Sequence, residues 1–485
     1  MPGGPGQGGD PSLVRLLAGW LPRQRWFGGK DSPIEDLSIG TATELRTGEP
    51  GLHHLVLDVR QNGATEHYQV LLGVRRDLPE RLRPHEIGLL AGATGITGHA
   101  YDAAHDPELT RPLLAHMAGE SVIGPLRFRR APGTGIRTDL DGAPSTAEQS
   151  NTSLVFGDAY MCKLFRKLAP GVNPDLEVNL ALTRAGCEHV PAVHGWIELA
   201  PGGDGTGGGE PVTLALLSEY LRSATDGWQL ALTSVRDWFA QPLPPGPPDA
   251  QAALTTDDPG AAGGDFAAEA ERLGAATAQV HSDLARAFGV TTVPAERLRA
   301  LAAGMNDQLD AVAEAVPQLR PHAPAIRAAF GEVAAAAGGL RFQRVHGDYH
   351  LGQVMRTDTG WVLLDFEGEP ARAPAERRAP AHPLRDVAGM LRSFEYAARF
   401  LIASDGNLAP GTADMLEQRA RAWAERNRNA FCAGYAAAGG PDPAAHAALV
   451  RAFEFDKAVY EIRYEARNRP SWLPVPLRSL EHLAG

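Results

Sequence analysis

Two polar clusters joined by an apolar run constrain this chain more than any other feature. Val345-His346-Gly347-Asp348-Tyr349-His350-Leu351-Gly352-Gln353 is followed by Trp361-Val362-Leu363-Leu364, and that run opens directly into Asp365-Phe366-Glu367. The apolar run reads as a strand. Asp348 and Gln353 stand five residues apart, and Asp365 lies at the far end of the strand. Phosphoryl transfer asks little covalent help of a protein: a positioned hydroxyl, and cations that neutralise developing charge. One carboxylate at the nucleophile, with an amide and a second carboxylate on magnesium, is a minimal set for that task. Asp348 is therefore the candidate base, and Gln353 and Asp365 are the candidate metal ligands. Either cluster alone fits a charged turn or a strand ending in solvent; both at this spacing favour the chemical reading.

The spacing matches the pattern H-R-D-L-x-x-x-N with a downstream D-F-G, in which a base Asp precedes a metal-binding amide by five residues. Gln353 replaces the Asn. Both offer a carbonyl oxygen to a hard cation, although Gln is one methylene longer. No A-P-E segment follows Asp365, which argues against a protein substrate.

With 485 residues the chain is expected to fold as two or three domains. Its 58 acidic against 46 basic residues give no electrostatic support to a nucleic-acid or anionic-membrane role. Magnesium-nucleotide and a neutral or cationic substrate fit better. The three cysteines show neither metal spacing nor a disulfide framework. Residues 1–10 lack the basic and apolar regions of a signal peptide, and no apolar run approaches a membrane span; a soluble, cytoplasmic protein is the expectation. Only four of the basic residues are lysine (Lys30, Lys163, Lys167, Lys457), so a retained lysine is a stronger functional candidate than usual.

Residues 12–21 form an amphipathic segment, and residues 52–59 and 67–72 alternate with the period of antiparallel strands. Residues 77–118 are interrupted by Pro and Gly and support no firm assignment. Residues 1–120 are taken as an N-terminal cap, 121–222 as a nucleotide-binding lobe and 223–485 as a helical lobe. In the second region, residues 153–156 and 160–165 read as a strand pair turned at Gly157-Asp158. Residues 176–185 have helical spacing, and residues 212–217 are β-rich. Residues 241–264, rich in Pro, Gly, Ala and Asp, read as an insertion. Helical periodicity follows over 266–288 and 298–316, and helices dominate to the end.

Lys163 lies in the apolar strand Tyr160-Met161-Cys162-Lys163-Leu164-Phe165, where an unpaired ammonium is costly; a lysine in this context pairs nucleotide phosphates. Glu177 is the expected partner, with Asp175 competing for the role. Instead of a glycine loop, Glu148-Gln149-Ser150-Asn151-Thr152-Ser153 precedes Lys163. Hydroxyl, amide and backbone N–H donors from Ser150, Asn151, Thr152 and Ser153 can cradle phosphate there, although such clusters are commonly turns. Glu219-Tyr220-Leu221 is placed as the adenine-contacting run. Asp386 opens a helix, where it either caps or braces the His346-Gly347-Asp348 loop. The terminal helix carries two adjacent stripes, Asp456, Tyr460, Tyr464 and Lys457, Glu461, Glu465, followed by Asn468-Arg469-Pro470-Ser471-Trp472. Rings with carboxylates, amide and arginine suit a sugar; a solvated face with i, i+4 ion pairs is the alternative.

Taken together, these residues resemble the maltokinase family, bacterial relatives of aminoglycoside phosphotransferases and choline kinases. The resemblance rests on Leu21-Pro22-Arg23-Gln24-Arg25-Trp26-Phe27, Gln149-Ser150-Asn151-Thr152-Ser153, Lys163-Leu164-Phe165, Asn173-Pro174-Asp175-Leu176-Glu177, the H-G-D-x-H-x-G-Q loop, Asp365-Phe366-Glu367-Gly368-Glu369-Pro370, Pro383-Leu384-Arg385-Asp386-Val387, and Tyr460-Glu461 through Trp472. It implies an α+β, bilobal protein-kinase-like fold with an extra N-terminal cap and a mainly helical C-terminal lobe. It also implies ATP- and Mg2+-dependent formation of maltose 1-phosphate in the trehalose-to-α-glucan route, with association with a trehalose synthase. Carried over by position, Asp348 is the base, Gln353 and Asp365 hold magnesium, Lys163 holds phosphates and Glu177 orients it. His350, Lys457, Tyr460, Glu461, Tyr464, Glu465, Asn468, Arg469 and Trp472 would line the sugar site, with Asp386 in structural support. Glucosamine kinases share much of the loop pattern, so glucosamine or an aminoglycoside is the rival acceptor. An aminoglycoside site should be dominated by carboxylates, whereas this helix mixes in Lys457, Arg467 and Arg469. A non-catalytic scaffold is the remaining alternative.

Overall fold

The computed structural model describes residues 11–91, 97–145, 150–202, 209–241, 265–369, 372, 374–404 and 410–484. Most of the insertion expected at 241–264, Gln149 of the phosphate-cradling run and Pro370 lie outside the described residues. The chain divides into two compact units, one of residues 1–180 and 191–222, the other of residues 181–190 and 223–485.

The first unit begins with α1 (Pro11–Trp20), whose Leu13, Leu17 and Trp20 recur on one face and are buried. Strands β1 (Asp36–Arg46), β2 (Gly51–Gln61) and β3 (Ala64–Arg75) form an antiparallel meander. Its tighter turn, Asn62-Gly63, has both residues at positive φ (50° and 73°), the geometry that a twisted two-residue hairpin requires. The unassigned stretch 77–118 contains β4 (Glu86–Ala91), β5 (Thr97–Asp102) and α2 (Pro107–Ala118). The Asp106 side chain accepts from the Glu108 N–H, and Pro107 occupies the first turn of α2, a start signal readable from Asp-Pro. These strands join in the order β1-β2-β3-β5-β4.

A second antiparallel sheet contains β6 (Val122–Ile123), β7 (Leu126–Arg130), β8 (Gly142–Pro144), β9 (Thr152–Phe156), β10 (Tyr160–Leu164), β12 (Val193–Leu199) and β13 (Val212–Glu219). Their order is β6-β7-β12-β13-β10-β9-β8. The β9–β10 hairpin turns at Gly157, φ 55°, as the Gly-Asp pair suggests. Between β10 and β13, strand β11 (Lys167–Leu168) pairs with β3, so the two sheets are stitched by backbone as well as by side chains. The Arg166 guanidinium, 1% exposed, donates to Asp102 at 2.6 Å and to the Thr152 hydroxyl at 2.8 Å. One apolar cluster runs from Leu52 and Val56 through Leu113 and Phe128 to Leu154 and Leu217. Helix α3 (Pro174–Arg184) follows β11.

The second unit is mainly helical: α4 (Gly227–Phe239), α5 (Ala267–Phe288), α6 (Ala295–Ala315), α7 (Ala323–Ala335), α8 (Pro374–Arg378), α9 (Leu384–Ser404), α10 (Pro410–Ala437), α11 (Ala447–Asn468) and α12 (Pro474–Ala484). A small sheet of β14 (Thr225–Asp226), β17 (Val354–Arg356) and β18 (Trp361–Leu363) is set among them, beside the pair β15 (Val290–Pro294) and β16 (Gly338–Gln343). No helix among the described residues is long and apolar enough to cross a membrane.

Helices α5 and α10 approach through reciprocal glycines. A Cβ on Gly274 would overlap the Phe431 carbonyl oxygen, and one on Gly434 would overlap the Glu271 carbonyl oxygen. Backbone cannot yield as a flexible side chain can. Gly434→Ala should therefore lower stability by about 1–3 kcal/mol, read as a fall in the thermal midpoint; an unchanged midpoint would show that the helices separate without cost.

Candidate active site

The β17–β18 hairpin, in register Val354↔Leu363 and Arg356↔Trp361, brings the two polar clusters together. The Leu364 N–H donates to the Gln353 carbonyl at 2.9 Å, and the Gln353 side-chain amide donates to Asp365 Oδ2 at 3.2 Å. Asp365 has φ 64°, a left-handed conformation that Asp tolerates better than most residues. A carboxylate beside a side-chain amide is a donor set that suits a hard cation, so Gln353 and Asp365 fit a magnesium ion chemically.

Loop shape rests on Asp386, in the first turn of α9 and 2% exposed. Its carboxylate accepts the N–H groups of His346 (2.7 Å) and Gly347 (2.9 Å) and meets His281 Nε2 at 3.0 Å. Burial alone would push the Asp386 carboxyl up; the hydrogen bond and charge from His281 and the field of His346 outweigh it and hold the carboxyl below its ordinary value. Gly347 turns the chain at φ 88°. The His346 ring packs at a tilt against Phe366, centroids 4.7 Å apart, and its Nε2 donates to the Leu364 carbonyl at 2.8 Å. This bond ties the loop to the end of β18.

Asp348 is reached by a lysine. Lys457, on α11, donates to Asp348 Oδ1 at 2.9 Å and to Glu369 Oε1 at 2.8 Å. Burial works against its charge, but Asp348 and Glu369 more than compensate and hold the ammonium well above the usual lysine range. Glu369 is 3% exposed. Burial would raise its carboxyl, yet Lys457, Arg385 and Arg372 depress it from 4.5 to about 2. Arg372 donates to Glu369 Oε2 at 2.6 Å, and Arg385 donates to Asp456 at 3.3 Å. His350 Nδ1 accepts from the Gly352 N–H at 3.1 Å, and burial pushes the imidazole below its ordinary value.

A cavity of about 490 Å3 opens on this group. Asp348, His350, Lys457, Tyr460, Glu461, Tyr464, Glu465, Arg469 and Trp472 all line it. Glu461 accepts from Arg392 at 2.7 and 3.1 Å, and Glu465 accepts from Arg469 at 2.6 and 2.9 Å. Arg469 also lies over the rings of Tyr464 (5.6 Å) and Trp472 (5.2 Å). Asn468 does not join the lining: its amide donates to the Tyr464 carbonyl at 2.9 Å and closes the end of α11. Trp228, Ser393, Tyr396 and Phe400 line the cavity without having been singled out in the sequence. Tyr396 and Phe400 lie four apart on α9, beyond Asp386, and an i, i+4 aromatic pair there was the signal available.

The remaining expected residues belong to the first unit. Lys163 sits mid-strand, paired in register with Ser153 and Leu216. Its ammonium donates at 3.3 Å to Oδ2 of Asp175, the residue that competes with Glu177 for this role. Asp175, 4% exposed, is further held by the Asn179 amide at 2.8 Å. The Thr152 hydroxyl, partly buried, accepts from Arg166 at 2.8 Å, and the Ser153 side chain is buried. Ser150 and Asn151 precede β9, with the Asn151 amide 3.5 Å from the Ser150 hydroxyl. In the Glu219-Tyr220-Leu221 run, the Glu219 N–H donates to Ala192 and the Tyr220 N–H to Ala159.

Residues 20–106 match the family described as maltokinase N-terminal cap domain, and residues 240–449 match the phosphotransferase enzyme family. A glucosamine kinase of Streptacidiphilus jiangxiensis is 30% identical over 360 residues, 70% of this chain and 74% of that protein. The chain belongs to the maltokinase-like group of the aminoglycoside phosphotransferase superfamily. A second relative of this group, a glucosamine kinase of Mycolicibacterium smegmatis, is 29% identical over 351 residues, 70% of this chain and 79% of that protein. The kinase-like fold with its cap is shared with a solved glucosamine kinase at TM-score 0.67 and 24% identity, covering 98% of this chain and 99% of that one. The same is true of a glucosamine kinase in complex with glucosamine, ADP and inorganic phosphate, at TM-score 0.64 and 24% identity over 98% and 99%. The superfamily's chemistry is phosphotransfer.

Two variants of this phosphotransferase test its geometry. In Asp386→Asn one acceptor oxygen becomes an NH2 group facing N–H donors, so the loop shifts; kcat should fall roughly 100-fold with KM less affected, and an unchanged kcat would remove Asp386 from loop support. Glu369 has a folded-state value near 2 against 4.5, so its stabilisation is complete above pH 4.5 and is lost as pH falls towards 2. Acid unfolding of Glu369→Gln should accordingly be less steep across that window than that of the parent protein; parallel curves would mean that the ion-pair cluster contributes nothing.

Proposed function

We propose that this chain transfers the γ-phosphoryl group of ATP to the anomeric hydroxyl of maltose, yielding ADP and maltose 1-phosphate, with magnesium held by Gln353 and Asp365. Asp348 accepts the hydroxyl proton as the new O–P bond forms and the bond to ADP breaks. When bound, the ion neutralises charge on the phosphoryl oxygens. Lys457 fixes one carboxylate oxygen of Asp348, leaving Oδ2 as the atom for the sugar hydroxyl. Lys163, steered by Asp175, is assigned to the nucleotide phosphates. The observation that carries the reading is that Asp348 and the aromatic and polar face of α11 line one cavity of about 490 Å3.

Maltose is favoured over an aminosugar by charge and by size. Glu461 and Glu465 are each matched by an arginine, so the cavity offers hydrogen-bond acceptors without a surplus of negative charge to attract an amine. Its volume also exceeds what one pyranose ring fills. Residues 20–106 point the same way through the description of their family. Such a product would feed the trehalose-to-α-glucan route, in which a trehalose synthase is the natural supplier of maltose. Glucosamine is the second reading, favoured by the names of the relatives.

Product formation from ATP and magnesium across maltose, glucose, glucosamine, trehalose and an aminoglycoside separates these readings. Maltose-dependent formation of a phosphosugar without a reducing end is expected. Turnover with glucosamine alone would overturn the acceptor and keep the chemistry. Asp348→Asn should abolish turnover while ATP binding, followed by calorimetry, persists; retained turnover would remove Asp348 from the role of base.

A further inference from the structure

We propose that Trp228 is a specificity-determining residue: it forms, with Phe400 and Trp472, an aromatic subsite for a second sugar ring, so that acceptor length is selected at this point. The inference rests on the sugar-kinase reading of the cavity. Trp228 lies in the first turn of α4, and three features fix that turn against the candidate catalytic loop. Strand β14 pairs with β17, Thr225 opposite Arg356 and Asp226 opposite Met355. The Asp226 side chain then accepts from the Gln229 N–H at 2.9 Å and caps α4. Gly227 permits the close approach: a Cβ there would stand 2.9 Å from the Leu351 carbonyl oxygen and 2.6 Å from Val354 Cγ2. Trp228 is therefore placed by the same sheet that carries Gln353 and Asp365, and not by a loop.

The rings themselves point to an occupant. Trp228 meets Phe400 edge to face, centroids 5.6 Å apart at 85°, and Phe400 lies 5.1 Å from Trp472 at 48°. All three line the cavity, and none is fully buried. Apolar ring surface left partly exposed at a concave site is surface that a ligand can cover. Carbon-bound hydrogens of a pyranose are the complement, because they present an apolar face on an otherwise hydroxylated molecule. Asp348 supplies the reacting end of the same cavity, so the rings serve the part of the acceptor that does not react. Binding energy gathered there favours a disaccharide over a monosaccharide.

Trp228→Ala and Trp228→Phe in the full chain test the subsite. Calorimetric titration with maltose and with glucose should show about tenfold weaker maltose binding in Trp228→Ala, glucose within about twofold, and partial recovery in Trp228→Phe. Steady-state kinetics should place the maltose loss in KM and not in kcat. Equal weakening for both sugars, or none for maltose, would overturn the subsite even with turnover intact. Sugar binding that shows the predicted difference without any phosphoryl transfer would leave the subsite standing and overturn the kinase reading. Similar thermal midpoints for the two variants exclude misfolding as the cause.

Discussion

The buried carboxylate of Asp386 is the constraint on which the rest of the second unit's chemistry depends. A loop of the form His-Gly-Asp has backbone N–H groups that no sheet or helix satisfies, and such groups are costly when buried. Asp386 takes two of them and is itself held by His281, whose other nitrogen meets the Tyr435 hydroxyl at 2.8 Å. The loop is thus suspended from helices α5, α9 and α10. Asp348 can project into the cavity because its own backbone needs nothing further from it.

Charge in the cavity beside Asp348 follows a single pattern. Each carboxylate that faces inward is balanced by a cation from within the same unit: Asp348 by Lys457, Glu461 by Arg392, Glu465 by Arg469. Buried charges left unpaired would be unaffordable, and pairs of this kind add orientation more dependably than stability. Tyr460, beneath the Lys457 ammonium at 4.8 Å, adds a cation–π contact to the set. The outcome is a cavity of low net charge whose charged groups are held in pairs among aromatic rings.

Local signals were readable wherever one residue type settles the geometry. Gly157-Asp158 marked the β9–β10 turn, and the apolar run 361–364 marked β18. The Asn62-Gly63 turn and the Asp106-Pro107 helix start carry equally explicit residue signals, although neither figured among the sequence-based expectations. Features decided by helix phase or by distant partners were not readable. Asp175 and Glu177 differ by two positions, and only the packed helix shows that Asp175 faces Lys163. That Arg166, fourteen residues on, donates to the Thr152 hydroxyl is visible only in the fold. Asn468 belonged to a polar motif but spends its amide on a helix end. Trp228 sits far from every motif in sequence and reaches the cavity only through a strand pairing.

The left-handed backbone at Asp365 shapes what mutagenesis can report about the proposed magnesium site. At φ 64°, residues bearing an ordinary Cβ incur backbone strain, while Asn shares the tolerance of Asp. An alanine there would remove the proposed ligand and distort the hairpin end at once, mixing two causes in one number. Asparagine keeps the backbone tolerance while removing the charge and one acceptor oxygen, and glycine removes the side chain without strain. The alanine-scanning habit is thus uninformative at this position, and the Asn–Gly pair is the comparison from which a metal affinity can be extracted.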